Sequence, residues 1–213
     1  MRHRRPNNFG DKCALWFTMR LRWFADTFFA KRYGHRAVVL ETVAGVPGMV
    51  AGMWNHLRSL RKMKPDDRGW IRTLLEEAEN ERMHLMIFIE IAKPNWFERW
   101  MIIMAQFLFW HFYMFLYIFF PKTAHRMVGY FEEQAVISYT SYLKAIELGK
   151  IKNIPAPEIA INYYGLIVKD IFLTNTPIFA NFCDIITNSL SLYCILKFIC
   201  MSDANTTIIS SLG

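Results

Sequence analysis

Glycine and proline are scarce in this chain of 213 residues, 10 and 8 in number, which excludes collagen-like repeats and Gly/Pro-rich linkers. Cysteine is scarcer still. Cys13, Cys183, Cys194 and Cys200 form no Cys-x-x-Cys pair and three of them crowd toward the C-terminus, so they support neither a disulfide framework nor a zinc site. Glutamate stops at Glu158 and histidine at His125. Beyond residue 170 the only charged side chains are Asp184, Lys197 and Asp203, where the overall charged share of 20% would put about 9. The C-terminal fifth is a different kind of sequence from the rest.

What the chain has in abundance is apolar bulk. Hydrophobic residues make up 54% and aromatics 16%, which excludes a disordered chain and supplies a sizeable core for one domain. Lys and Arg number 25 against 18 Asp and Glu, a net charge of +7. A nucleic-acid-binding bundle would use such charge, and Arg58, Arg61, Lys62 and Lys64 cluster. Those cations suit a solvated face, however, and lipid is the better anionic partner here, so no nucleic acid is expected.

The pattern is helical throughout, without strand alternation or a solenoid-period repeat. Residues 1–10 are basic and free of acids, which fits either the remnant of a mitochondrial presequence or a frayed terminus. Residues 14–33 mix Leu15, Trp16, Phe17, Trp23, Phe24 and Phe28 with Arg20, Arg22, Lys31 and Arg32. Such a helix fits a membrane surface, or a core with a basic outer side. Helices are expected at Arg36–Met63, before the turn-rich Lys64-Pro65-Asp66-Asp67, and at Trp70–Ala92, closed by Lys93-Pro94. Trp100–Phe120, stopped by Pro121-Lys122, is long enough to span a bilayer, but Gln106, His111 and its many aromatics suit a helix lying in the surface or packed in a core. Arg99 and Lys122 flank it at both ends and give no orientation. Further helices are expected at Ala124–Leu148 and from Ala160 to Ile171, making five or six in an all-α bundle.

Chemistry concentrates in a few acidic residues. Glu81-Arg82-Met83-His84 puts a carboxylate and an imidazole on one helical face, where they can grip one metal ion or two neighbouring ions. Glu41 sits among Val38, Val39, Leu40, Val43 and Ala44, and a carboxylate buried there needs a cation, a proton or a donor beside it. Glu132 follows Gly129-Tyr130-Phe131; its neighbour Glu133 is expected to face solvent, and Tyr139 lies two turns beyond Glu132 on the same face. A four-helix di-metal carboxylate site takes a Glu from each of two helices and a Glu-x-x-His from each of the other two. Glu41, the Glu81–His84 pair and Glu132 match four of those six positions, in order and on three separate helices, and a second Glu-x-x-His is absent. The plainer alternative is an ordinary bundle with solvated glutamates and a packed His84. His56, His111 and His125 are read as structural or interfacial.

Three blocks resemble the alternative oxidases, the cyanide-insensitive mitochondrial ubiquinol oxidases: Leu40-Glu41-Thr42-Val43-Ala44, Glu79-Asn80-Glu81-Arg82-Met83-His84-Leu85 and Phe131-Glu132-Glu133-Gln134-Ala135. Arg32-Tyr33-Gly34, Val46-Pro47-Gly48-Met49, Gly69-Trp70-Ile71 and His125-Arg126-Met127-Val128-Gly129-Tyr130 add to the likeness, which runs from about Asp11 to Asp170. The resemblance implies a ferritin-like four-helix di-iron bundle with two additional membrane-surface helices, 14–33 and 100–120, and argues against 100–120 as a span. It implies a homodimeric, monotopic protein on the matrix face of the mitochondrial inner membrane. Two iron ions would couple ubiquinol oxidation to reduction of oxygen to water without proton pumping. Glu41, Glu81, His84 and Glu132 would be the iron ligands, Tyr139 the redox-active tyrosine, and Arg22, Asp26, Arg36 and Leu40 the lining of the quinol pocket.

The chain departs from the family pattern in three places. Gln134 stands in place of the third Glu of a Glu-Glu-Glu run, and His35 where many plant members carry a regulatory cysteine. The family's final Arg-Ala-Asp-Glu-Ala-x-His block is missing, so the last bundle helix is expected to be aberrant. The chain then divides into a basic segment 1–10, a di-iron helical domain 11–170 and a divergent apolar tail 171–213, of the kind an unspliced intron or a frameshift produces. With two ligands gone, weak metal binding and poor turnover are expected of this chain. A non-catalytic membrane-surface homologue, or a degenerate subunit, is the alternative.

Overall fold

A computed structural model describes residues 5–29, 33–63, 69–152 and 154–163. The segment 171–213, expected to be a divergent tail, lies outside the described residues. Five long helices follow in order: α1 Phe9–Phe29, α2 Tyr33–Lys62, α3 Trp70–Ala92, α4 Trp96–Phe119 and α5 Pro121–Glu147. A shorter helical run covers 158–163, and the described residues contain no β-strand. The protein is an all-α helical bundle. The chain divides into two compact units, one Pro6–Val128 and the other including Gly129 onward.

In the first unit α2 is the central helix, packed against α1, α3 and α4. Its contact with α3 is a seam of small residues. A Cβ at Gly52 would come 2.9 Å from Leu75 Cδ2, and one at Gly48 would be 2.7 Å from the Leu74 carbonyl oxygen and 3.1 Å from the Ala78 nitrogen. With Gly45 these positions fall on one stripe of α2, so the two backbones approach closely. Val38, Val46, Val50 and Ala51 of α2 and Leu74, Ile87 and Phe88 of α3 are all buried. α4 closes over α2 through Tyr113 and Tyr117, both buried; Asn55 Nδ2 of α2 donates to Tyr117 Oη at 2.9 Å. Phe17 of α1 stacks on Phe112 of α4 with ring centres 4.6 Å apart.

The helix ends follow local chemistry. Asn95 and Glu98 form a reciprocal capping box that starts α4 four residues before the apolar run at Trp100. Pro121, which reads in the sequence as a stop, is the first residue of α5, where a missing N–H costs nothing. α3 ends at Lys93, in the left-handed conformation at φ 46 with its N–H on the Ile89 oxygen.

Two stretches are long and apolar enough to cross a membrane, Gly34–Lys62 and Trp96–Phe119. The first is 56% buried inside the protein and the second only 17%. α2 is therefore a core helix, whereas α4 turns Trp100, Ile103, Phe107, Leu108, Phe115 and Phe119 outward. α1 likewise exposes Trp16, Trp23, Phe24 and Phe28.

In the second unit α5 buries Tyr130, Tyr139, Tyr142 and Ala145. It ends where the sequence suggests: Gly149 takes φ 68, its N–H reaches the Ile146 oxygen, and the Lys150 N–H reaches the Ala145 oxygen. This pair of bonds satisfies two carbonyls of the last turn.

Candidate metal centre

The α2–α3 seam brings the predicted ligands together. Gly45 lies one turn beyond Glu41, and a Cβ there would meet the Cβ of Glu81 at 3.6 Å; the bare backbone of α2 thus faces Glu81 directly. On α3, Glu81 and His84 share the inward stripe with Leu74, Ala78 and Ile87. Glu41, Glu81 and His84 are 5%, 6% and 9% exposed. His84 Nδ1 stands 3.6 Å from Glu41 Oε2 and 3.6 Å from Glu81 Oε2. Ligand atoms of the three residues all lie within 4.8 Å of one another.

Those separations are too long for direct hydrogen bonds and suit an ion between the donors. Two bonds of about 2.0–2.2 Å meeting at roughly 110° put donor atoms about 3.5 Å apart. The donor set, oxygen-rich with one imidazole and no sulfur, favours iron or manganese over thiol-seeking metals. Charge points the same way. Among the described residues the carboxylates and imidazoles less than a tenth exposed are Glu41, Glu77, Glu81 and His84, with no Lys or Arg equally buried, and carboxylates held away from water call for a cation. The plainer alternative, glutamates on solvated faces, does not describe Glu41 or Glu81.

The neighbouring acids of α3 point the other way. Glu76 pairs with Arg72 at 2.8 Å on the outer side. Glu79 accepts from both Nε and Nη2 of Arg82, at 2.7 and 2.6 Å, and that bonding holds its carboxyl below the usual range. Glu77 was not foreseen: the Glu76-Glu77 doublet gives no internal sign of which member turns inward, yet Glu77 is 9% exposed.

Arg22, Asp26 and Arg36 also converge. Asp26 Oδ1 lies 2.6 Å from Arg36 Nη1 and its Oδ2 lies 3.4 Å from Arg22 Nε, so one carboxylate joins two guanidiniums across α1 and α2. Leu40, one turn beyond Arg36, is half-buried. In the second unit Tyr139 is buried on α5. Glu132 and Glu133 are both half-buried, so exposure does not separate them as the sequence suggested. Ser138 Oγ donates to the Gln134 carbonyl. His35 pairs with Glu98 of α4, Nδ1 to Oε1 at 3.1 Å, using the oxygen that the α4 capping box leaves over; a contact across 63 positions has no sequence signature. His125 is enclosed between Trp70 and Tyr117, ring centres 6.3 and 5.2 Å away, and burial lowers its pKa to about 4.

The model of a family described as alternative oxidase matches residues 1–188. Ubiquinol oxidase 1c, mitochondrial, of Arabidopsis thaliana is 54% identical over 165 residues, covering 78% of this chain and 50% of the relative. Ubiquinol oxidase 1a, mitochondrial, of Oryza sativa subsp. japonica is 56% identical over 165 residues, 78% and 49%. A mitochondrial ubiquinol oxidase of the fungus Batrachochytrium dendrobatidis is 54% identical over 175 residues, 80% and 55%. The chain spans about half the length of these curated relatives.

Proposed function

Because the chain belongs to the alternative oxidase family, we propose that it is a quinol oxidase whose buried Glu41, Glu81 and His84 hold iron and whose substrates are ubiquinol and oxygen. The observation that carries this reading is the cluster itself: two carboxylates and an imidazole within bonding reach of a common point, buried without a buried Lys or Arg among the described residues. By motif, Glu132 is a further ligand, the centre holds two irons, and Tyr139 is the redox-active tyrosine.

Iron held by Glu41, Glu81 and His84 would, when bound, pass electrons from ubiquinol to oxygen, two quinols supplying the four electrons that turn one oxygen molecule into two waters. Glu41 and Glu81 bind as carboxylates, and His84 binds as a neutral imidazole through a ring nitrogen. The apolar side chains of Val38, Val46, Leu74 and Ile87 keep bulk water from the seam, which strengthens every charge interaction inside it. At the α1–α2 contact the Asp26 carboxylate accepts a proton or hydrogen bond from a quinol hydroxyl, and Arg36 donates to the quinone oxygen that results. The outward aromatics of α1 and α4 seat the protein on the surface of the mitochondrial inner membrane, where a lipid-soluble quinol is available. The reaction moves no proton across that membrane, and the working form is a homodimer on the matrix face.

A second reading, a non-catalytic membrane-surface homologue, is favoured by one observation: the 213 residues contain a single Glu-x-x-His. Oxygen consumption with added quinol, in membranes of a bacterium expressing residues 1–213, separates the two. Cyanide-resistant uptake that disappears in Glu81→Ala establishes the oxidase. If no uptake is seen until residues after Asp170 are replaced by a helix bearing Glu-x-x-His, the second reading holds for this chain.

A further inference from the structure

Resting on the quinol reading of the α1–α2 contact above, we infer that His35 and Glu98 form a latch that positions Arg36 for the quinol. His35 is a positioning residue, acting through its neighbour in the chain. The first turn of α2 carries Gly34, His35 and Arg36 in succession, and each meets a different helix. Gly34 lies against the end of α3, where a Cβ added to it would touch the Ala92 Cβ at 3.5 Å. His35 Nδ1 stands 3.1 Å from Glu98 Oε1 of α4. Arg36 Nη1 stands 2.6 Å from Asp26 Oδ1 of α1. Successive side chains leave a helix about 100° apart, so holding His35 on α4 sets the rotation of α2 at which Arg36 faces α1. The first turn of a helix is held by fewer backbone bonds than its interior, and side-chain ties therefore decide where it sits.

Both halves of the latch are set in place. Glu98 Oε2 accepts from the Asn95 N–H while Asn95 Oδ1 accepts from the Glu98 N–H, which fixes the carboxylate and leaves Oε1 to His35. The two side chains are 22% and 12% exposed, so their attraction is weakened less by solvent than that of a surface pair. Beside them lies a cavity of about 10 Å³ walled by Phe29, Val38, Met101 and Ile102, room for one water at most. Bulk water cannot take the place of either partner there. At the quinol contact, Arg22 and Asp26 sit four residues apart on one helix, and their spacing is local to α1. Arg36 alone comes from α2, so its reach to Asp26 and to a bound quinol depends on the seat of that first turn.

Binding of ubiquinone-1, a quinone with a short tail, tests this by calorimetric titration of the purified full chain loaded with cobalt(II), a divalent probe of the metal site. His35→Phe keeps the bulk of the ring without its nitrogens and is expected to weaken ubiquinone binding about tenfold. His35→Asn places an amide N–H near the position of Nδ1 and is expected to bind within about threefold of the unmodified chain. Glu98→Gln preserves the cap on Asn95 and is expected to weaken binding about as much as His35→Phe. The double variant His35→Phe/Glu98→Gln is expected to be no weaker than either single one, because one latch is lost only once. Cobalt content and circular dichroism are expected to be the same throughout. A His35→Phe protein that binds ubiquinone-1 like the unmodified chain overturns the latch and leaves the quinol reading standing. So does His35→Asn as weak as His35→Phe, additivity of the two substitutions, or loss of cobalt or helix in His35→Phe. An unmodified chain that binds no ubiquinone-1 overturns the quinol reading, and the latch with it.

Discussion

A Cβ added at Gly48 would lie 2.7 Å from the carbonyl oxygen of Leu74, a distance that real side chains do not reach. The atom in the way is backbone, held in α3 by the helix itself, so it cannot swing aside. The close approach of α2 and α3 sets the spacing between Glu41 on one helix and the Glu81–His84 pair on the other. Metal-centre geometry therefore depends on a glycine that carries no functional group.

Gly48→Ala is accordingly expected to destabilise the protein by about 1–3 kcal/mol through overpacking and to weaken metal binding as well. Gly129→Ala is the control. Nothing lies within 4 Å of its added Cβ and the site is interior to α5, so alanine is expected to stabilise by up to about 1 kcal/mol. Denaturant unfolding of both variants, beside cobalt titration, checks the pair; equal and small effects would contradict the seam.

Removing one buried charge should help the metal-free protein and harm the loaded one. Glu41→Gln keeps the shape of the side chain and is expected to raise the melting temperature in chelator by about 2–4 °C, corresponding to about 1 kcal/mol. Added cobalt is expected to raise the melting temperature of the unmodified protein more than that of the variant. Thermal melts with and without the ion decide it.

Acid should act on the first unit through His125. Burial lowers its pKa from 6.5 to about 4, so the fold favours the neutral ring and the unfolded chain takes up the extra proton. The stabilisation is complete above about pH 6.5 and is lost as pH falls toward 4. Because the residue is only half-buried, the effect is on the order of 1–2 kcal/mol. His125→Phe keeps the aromatic contacts with Trp70 and Tyr117 and is expected to flatten this part of the stability profile, measured by urea unfolding from pH 4 to 7.

Asp26 joins Arg22 and Arg36 through its two oxygens. Asp26→Asn removes the charge while keeping the size, releasing both guanidiniums from their shared partner. A rise of about tenfold in KM for quinol is expected, equivalent to about 1.4 kcal/mol, with metal content unchanged. Steady-state oxygen uptake and elemental analysis on the same preparation test whether the cluster serves substrate or only structure.

Much of the metal centre is legible in the sequence because its determinants are local. A Glu-x-x-His on a strong helix former places two side chains on one face whatever else surrounds them, and the apolar neighbours of Glu41 mark its burial. The limits of α3 follow from Gly69 and Lys93-Pro94 for the same reason. Other features depend on partners far along the chain. Glu77 differs from Glu76 only in lying on the buried side of α3, which the doublet itself does not mark. The His35–Glu98 contact joins residues on different helices, and α4 begins early because Asn95 finds Glu98 three residues on, a capping signal hidden in front of a long apolar run. Pro121 was misleading in a simpler way: proline ends one helix and begins the next with equal ease, and only the observed backbone shows which.

The three clustered donors all come from α2 and α3, neighbours in sequence as well as in space. Contacts of such short range cost little chain entropy to close, so helical pairs of this kind form early and quickly during folding. The nascent protein can therefore assemble the Glu41–Glu81–His84 constellation before the residues of α5 have been synthesised. For the same reason the segment 34–92 is a natural starting piece for transplanting an oxygen-rich metal site onto another helical scaffold.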